Sequence, residues 1–286
     1  MKRHLATLFV FCSFASVLTA QQNFDNVAIK TIHVAGPIHM LQGAGGNIGV
    51  SAGPDGVLIV DDQFAPLAEK IEAAIKQLND GKIRFLLNTH WHGDHTGGNA
   101  HFGQQTEIVA HANVRKRLVE KSDTAKEALP VITFDHGISV HLNGEEVRVY
   151  HVGPGHTDGD SIVAFTKSKV VHMGDLYFKD RFPFIDLGSG GDVAGYVKNV
   201  ATALEYTPDD AKIIPGHGDL ATKDDLKRYH IMLTTITGKV QRAITAGKSL
   251  DEVKAAGVPA EYKSWGAGFI NESRFLEFCY NGLKGK

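Results

Sequence analysis

The segment "LLNTHWHGDHTGGNAHF", beginning at Leu86, places His90, His92, Asp94 and His95 within six positions, after an apolar run and before a glycine pair. Imidazole and carboxylate are the nitrogen and oxygen donors of metal sites. Such crowding has no packing rationale, because each buried polar group would need its own partner. In extended backbone, residues two apart point the same way, so His90 and His92 can face one metal ion. Gly93 then permits a tight turn, after which Asp94 and His95 can point to a second ion. Without cysteine in the window, the donor set suits zinc, with iron or manganese as substitutes.

Three later segments repeat the pattern of an apolar run followed by ligand-type residues and glycine. "GPGHTDGDS" supplies His156, Thr157, Asp158 and Asp160; "VVHMGD" ends on Asp175; "KIIPGHG" presents His217. The ends of strands in one sheet converge in space, so these residues can form one cluster. Isolated histidines such as His33, His39, His101, His111, His141, His151, His172 and His230 are read as structural or exposed, since imidazole has many other uses.

The elements that must position this cluster alternate between short apolar runs and helical periodicity. "VLIVDD", "IRFLL", "EVRVYHV", "SIVAF", "VVHMG" and "KII" read as strands. "PLAEKIEAAIKQL" reads as a helix with Leu67, Ile71, Ala74, Ile75 and Leu78 on one face and Pro66 at its start. "DVAGYVKNVATALEY" predicts a helix capped by Asp192, with Val193, Val197, Val200 and Leu204 inward. A longer helix from Asp224 carries Leu226, Tyr229, Leu233, Ile236 and Val240 on one stripe. "SLDEVKAAG" and "ESRFLEFCYNGL" form two short helices that cap the same core. Strands with helices interspersed predict an α/β layered domain.

The chain has 286 residues, 43% hydrophobic and 22% charged, with formal net charge −2, which carries no electrostatic footprint for nucleic acid or an anionic membrane. Lys2, Arg3 and His4 precede an apolar run from Leu5 to Leu18, and "LTAQQ" offers a cleavage point after Ala20. Residues 1–20 are therefore read as a signal peptide and 21–286 as one hydrolase domain with a C-terminal helical cap, periplasmic or secreted. The run is too short for a comfortable span, so no stable membrane association is expected after cleavage. Cleavage removes Cys12 and leaves Cys279 alone, which excludes an intramolecular disulfide and reads as a packed thiol.

"THWHGDH", "GPGHTDGDS", "MGD" and "PGHG", in that order, resemble the signature motifs of the metallo-β-lactamase superfamily. The resemblance implies a four-layer αββα sandwich with two metal ions at one edge between the sheets. It implies that His90, His92 and His156 hold the first ion. Asp94, His95 and His217 hold the second, with Asp175 bridging both. Two ions can share a water and bring its pKa near neutral, giving a hydroxide that attacks a polarised carbonyl. Asp94 is the candidate to orient that nucleophile or relay its proton. Thr157, Asp158 and Asp160 are candidate supports around His156, Asp61 and Asp62 are candidate supports of the metal loops, and Trp91, Phe182 and Phe184 are candidate cleft residues.

Within the superfamily, thiolate-type lactamases have cysteine where Asp175 stands and a carboxylate-gripping lysine three positions on, where this chain has Phe178. Lys179 and Arg181 lie close by in the sequence. A bridging aspartate resembles glyoxalase II-like thioesterases, quorum-signal lactonases and some lactamase-like periplasmic hydrolases. The leading expectation is an exported dinuclear zinc hydrolase of a small-molecule carbonyl substrate, β-lactam first, with a thioesterase or lactonase as the alternative. A non-catalytic metal-binding partner module is the reading from outside enzymology.

Overall fold

The computed structural model describes residues 23–285; the leader reading and Cys12 lie outside the described residues. Strands β1 (Lys30–Ala35), β2 (Ile38–Gln42), β3 (Ile48–Gly53), β4 (Gly56–Val60), β5 (Ile83–Asn88), β6 (Glu107–His111) and β7 (Ile132–Phe134) form one sheet in chain order. β1 to β4 are antiparallel neighbours, whereas β4, β5, β6 and β7 run parallel. Parallel pairing needs crossovers, and helices α1 (Ala68–Leu78), α2 (Gly93–Thr96), α3 (Asn99–Phe102) and α4 (Ala112–Glu120) supply them.

The second sheet has β8 (Gly137–Leu142), β9 (Glu145–His151), β10 (Ser161–Phe165), β11 (Val170–His172), β12 (Lys212–Ile214) and β13 (Ala221–Thr222), in spatial order β13-β12-β11-β10-β9-β8. Only β11 and β12 are parallel there. Helices α5 (Val193–Tyr206), α6 (Lys223–Thr245), α7 (Leu250–Ala256) and α8 (Glu272–Lys284) complete the described chain.

The period of two along each strand sorts side chains into layers. Leu58 and Val60 of β4, Val147 and Val149 of β9, and Val163 and Phe165 of β10 meet between the sheets. Val57 and Ile59 face outward onto Leu67, Ile71 and Ile75 of the α1 segment. Ile162, Val171 and Ile213 face outward on the other side, onto α5, α6 and α8. Helices therefore cover both outer faces, giving the αββα order.

The α6 stripe read from sequence is buried throughout, with Met232 added, and Thr222 closes its N-terminus in a capping box with Asp225. In α5 the inward face is Val193, Tyr196, Asn199, Val200 and Ala203; Val197 and Leu204 are only half-buried. The face is rotated because Tyr196 and Asn199 have buried partners: Tyr196 Oη donates to the Asp175 carbonyl at 2.7 Å, and Asn199 Nδ2 donates to the Gly153 carbonyl at 2.9 Å. Cys279 is fully buried in α8, and burial pushes its thiol pKa up, which suits a packing role. No described helix is long and apolar enough to cross a membrane.

Candidate metal centre

The strands that deliver the candidate ligands end at one edge of the sandwich. β5 ends at Asn88, whose side chain exchanges a reciprocal pair of amide hydrogen bonds with Asn99 at 3.0 and 2.9 Å. His90 follows in a bend, and His92, in extended backbone, opens the short helix α2 that carries Asp94 and His95. The turn after β9 holds His156. Asp175 follows β11, and His217 follows the parallel neighbour β12.

Gly174 holds the sharp turn before Asp175 at φ +48, where a Cβ would lie 2.6 Å from Thr89 Oγ1. Gly46 sits flat against the His95 ring, and a Cβ there would overlap the imidazole at 2.1 Å. Only a residue without a side chain permits this closeness.

The ligand atoms fall into two groups joined by one carboxylate. His90, His92, His156 and Asp175 offer atoms that all lie within 4.8 Å of one another, and so do Asp94, His95 and His217. Asp175 Oδ2 lies 3.8 Å from His90 Nε2 and 3.4 Å from His156 Nε2. Its Oδ1 lies 3.1 Å from His95 Nε2 and 3.4 Å from His217 Nε2. Each oxygen thus addresses one group. Asp94 Oδ2 completes the second, 3.3 Å from His217 Nε2 and 3.6 Å from His95 Nε2.

The fit to cations is tested by the polar atoms left over. His90 Nε2, His95 Nε2 and Asp175 Oδ1 are buried without a hydrogen-bond partner. His95 Nε2 and Asp175 Oδ1 are close yet misaligned for a hydrogen bond, as expected of two atoms aimed at a common point between them. A buried unsatisfied polar group costs about 1–3 kcal/mol, and these three, divided between the two groups, are donor atoms that cations would satisfy. The donor set is nitrogen and oxygen only, and the residues present fit the group.

The opposite ring nitrogens of His90, His92, His95 and His156 are engaged, which fixes those imidazoles. His95 Nδ1 donates to Asp61 Oδ2 at 2.8 Å, and Asp61 also accepts from the Thr89 amide and hydroxyl, each at 2.8 Å. His156 Nδ1 donates to the Phe184 carbonyl at 2.8 Å, and His90 Nδ1 meets Thr89 Oγ1 at 3.0 Å. His92 is reversed: its Nε2 donates to Asp186 Oδ2 at 2.9 Å, leaving Nδ1 beside His156 Nε2 at 2.8 Å. Asp61 and Gln63 keep left-handed backbone at φ 63 and 59. That strain is tolerated because Asp61 holds His95 while Gln63 Nε2 donates to the Gly46 carbonyl at 2.6 Å.

Electrostatics divide the centre. Burial lowers the pKa of His90 well below the usual imidazole range and that of His156 to about 4, so both are neutral donors at pH 7. Burial also acts to lower His95 and His217. There the carboxylates win: Asp175, Asp94 and Asp61 raise His95 well above the usual range, and Asp175 with Asp94 raises His217 to about 9. Loading a cation onto this half displaces protons and is favoured as pH rises.

The remaining sequence candidates divide by what they touch. Asp160 accepts from the His156 and Thr157 amides at 2.6 and 3.0 Å and from the Thr157 hydroxyl at 2.6 Å, so it clamps the His156 turn. Asp158 does not support His156: its carboxylate pairs with Arg117 at 2.7 and 2.6 Å, because the turn directs it away toward α4. Asp62 accepts from the Gly98 amide at 2.9 Å and supports the turn after α2.

Phe182 is core, not cleft. It is 1% exposed and stacked on Phe275 with centroids 4.8 Å apart. Phe184 is half-buried, 5.7 Å from both the His92 and His156 rings, and Trp91 lies 5.2 Å from His92, so both border the centre. Asp186 and Asn47 were not singled out from the sequence. Asn47 donates to the Pro215 and Gly218 carbonyls at 2.9 and 2.8 Å and so ties the first sheet to the His217 turn. A groove of about 990 Å³ is lined by Tyr150, Ala164, Lys198 and Tyr206 and contains none of the candidate ligands. Ligand geometry, and not cavity size, locates the chemistry.

A profile of the metallo-beta-lactamase superfamily matches residues 43–217, more than half of the chain. The chain belongs to that superfamily. Metallo-beta-lactamase type 2 of Bacteroides fragilis is 27% identical over 178 residues, which cover 58% of this chain and 69% of that protein. Hydroxyacylglutathione hydrolase GloC of Haemophilus influenzae is 29% identical over 182 residues, covering 59% of this chain and 84% of that protein. The crystal structure of DIM-1 metallo-beta-lactamase has the same fold, with TM-score 0.63 at 22% identity over 73% of this chain and 99% of that one. As a superfamily member with such relatives, the chain is a metal-dependent hydrolase.

Proposed function

We propose that this superfamily member is an exported dinuclear zinc hydrolase that cleaves an activated acyl bond in a small molecule. On this reading a thioester or lactone is the better substrate and a β-lactam an inefficient one. The observation that carries the two-ion reading is the Asp175 carboxylate, whose two oxygens each face a separate group of histidines. His90, His92 and His156 would hold one ion and Asp94, His95 and His217 the other. Zinc held there supplies Lewis acidity and an activated water at neutral pH.

The protein's own groups do the positioning. Asp94 is 27% exposed against 5% for Asp175, so it is the site carboxylate open to the cleft. Burial works to raise Asp94, but His95 and His217 keep it below the usual carboxylate range, so it stays ionised and can orient an attacking water by accepting its hydrogen bond. Phe184 and Trp91 exclude bulk solvent beside the His92 and His156 rings.

The acyl preference rests on the missing grip for a β-lactam carboxylate. Phe178 is 7% exposed and stacks on His217 with centroids 5.0 Å apart. Lys179 cannot substitute, because its ammonium donates to the Leu220 carbonyl at 2.9 Å and lies 3.6 Å from Asp225. A charge-assisted contact contributes about 1.5–3 kcal/mol, so its loss weakens productive binding roughly ten- to a hundredfold.

The test is steady-state kinetics of zinc-loaded protein on a penicillin, a cephalosporin, a carbapenem, an acyl-homoserine lactone, an aryl thioester and a phosphodiester. We expect kcat/KM for the thioester or lactone to exceed that for any β-lactam by roughly ten- to a hundredfold. The difference should lie mainly in a high β-lactam KM. Faster β-lactam cleavage would overturn the acyl preference, and cleavage of the phosphodiester alone would overturn the reaction class.

A further inference from the structure

The loop that touches the ligand histidines is fastened to the C-terminal segment, and that junction carries two cations without carboxylate partners among the described residues. The Phe182 amide donates to the Trp265 carbonyl at 3.2 Å, and Phe182 stacks on Phe275. Phe184, whose ring lies against His92 and His156, meets Phe278 of α8 edge-on with centroids 5.3 Å apart. Arg274 stands one helical turn before Phe278. Its guanidinium carbon lies 5.7 Å from the Phe278 ring and 5.7 Å from the ring of Phe269, on the preceding loop. On the same rim the Arg181 side chain runs along Gly268, where a Cβ would meet it at 3.3 Å.

Three features of this rim are not explained by folding. Phe269 is 82% exposed, the most exposed large hydrophobic among the described residues. Arg274 and Arg181 are exposed, and among the described residues neither has a carboxylate within 4.0 Å. Most other surface cations of the C-terminal helices are paired, as Lys227 is with Asp224, Lys248 with Glu252 and Lys254 with Glu277. The Arg274 guanidinium carbon lies within cation–π distance of both the Phe269 and Phe278 rings, and among the described residues no carboxylate within 4.0 Å engages its N–H edge. That edge matches a planar or tetrahedral anion through paired donors.

We propose that Arg274 and Arg181, with Phe269 and Phe278, form a distal subsite for an anionic group at the end of an apolar arm of the substrate. The reacting carbonyl lies at the metal centre, the arm runs along Phe184 and Phe278, and the terminal carboxylate, phosphate or sulfonate meets the two guanidiniums. This rests on the acyl-hydrolase reading above and deepens it by naming a substrate class. The anion is recognised away from the metals, so a neutral acyl group and a charged tail are read separately. The subsite also accounts for the lack of a cationic grip beside Phe178: the charge is supplied on the rim and not next to His217.

Two measurements on the zinc-loaded chain test it. In the first, two aryl thioesters differing only in a distal carboxylate are compared. The wild type should favour the anionic one in kcat/KM by about tenfold, through KM, and Arg274→Ala should bring the ratio near one. Arg274→Lys should restore only part of the preference, since an ammonium keeps the charge but loses the forked N–H geometry. In the second, the fluorescent aryl sulfonate 8-anilinonaphthalene-1-sulfonate is titrated without any turnover. Its dissociation constant should rise about tenfold in Arg274→Ala and stay unchanged in Lys198→Ala, which alters the groove under α5. Equal cleavage of both thioesters by wild type, or unaltered dye binding in Arg274→Ala, would overturn the subsite. If neither thioester nor a lactone is cleaved, the acyl reading fails, and the dye titration alone then decides the subsite in either direction.

Discussion

Replacing Asp175 by asparagine is expected to abolish most hydrolysis, lowering kcat/KM on the order of a thousandfold or more. The substitution keeps the shape of the side chain and removes the anion that each histidine group shares. Bridging cations contribute several kcal/mol of transition-state stabilisation, and about 4 kcal/mol corresponds to three decades in rate. The fold should survive, because the Asp175 main chain is held independently by the Tyr196 hydroxyl at 2.7 Å and the neighbouring Gly174 carbonyl by the Gly216 amide at 2.8 Å. Kinetics alongside circular dichroism check this. A well-folded Asp175→Asn variant with near wild-type turnover would show that the two groups act without a shared carboxylate.

The second large effect separates the two halves. His156→Ala removes one donor of the neutral half and His217→Ala one donor of the carboxylate-rich half. Each should cut turnover on the order of a hundredfold or more, because an incomplete coordination sphere no longer fixes the ion against the substrate. The metal dependence should differ between them. His156 is a neutral donor, whereas His217 carries a proton until about pH 9 before loading. The His217→Ala variant should therefore have a weaker pH dependence of loading between pH 6 and 9 than the wild type. His230, half-buried on α6 and outside both groups, serves as the control, and His230→Ala should leave turnover near wild type. Three variants behaving alike in a folded background would overturn the ligand assignment.

What the sequence made legible followed from strong periodicity. The α1, α5 and α6 segments and the buried strands β4, β5, β9 and β10 are dense in apolar residues at the right period, and their ends carry the candidate ligands. β1 and β3 carry no clear apolar alternation in the sequence, since β1 is largely exposed and β3, "IGVSAG", is interrupted by glycine. β8 escaped for a similar reason: it lies at a sheet edge with mostly exposed residues. Within the site, residues two apart on an extended segment could be paired by geometry. Asp186 could not, because its contact with His92 spans 94 positions and its segment, "PFID", has no spacing rule. Phe182 and Phe184 differ by two positions yet take opposite roles, which only the packing of α8 against this loop decides. Asp158 next to His156 shows the converse: sequence adjacency to a ligand does not place a side chain beside it.

The central claim, two cation sites sharing Asp175, is most directly tested by elemental analysis of the purified, zinc-supplemented chain, scored per mole of protein. Two ions per chain, falling to one or fewer in Asp175→Asn, is the expected result. A single tightly held ion in the wild type, unchanged by further zinc and retained in Asp175→Asn, would contradict it.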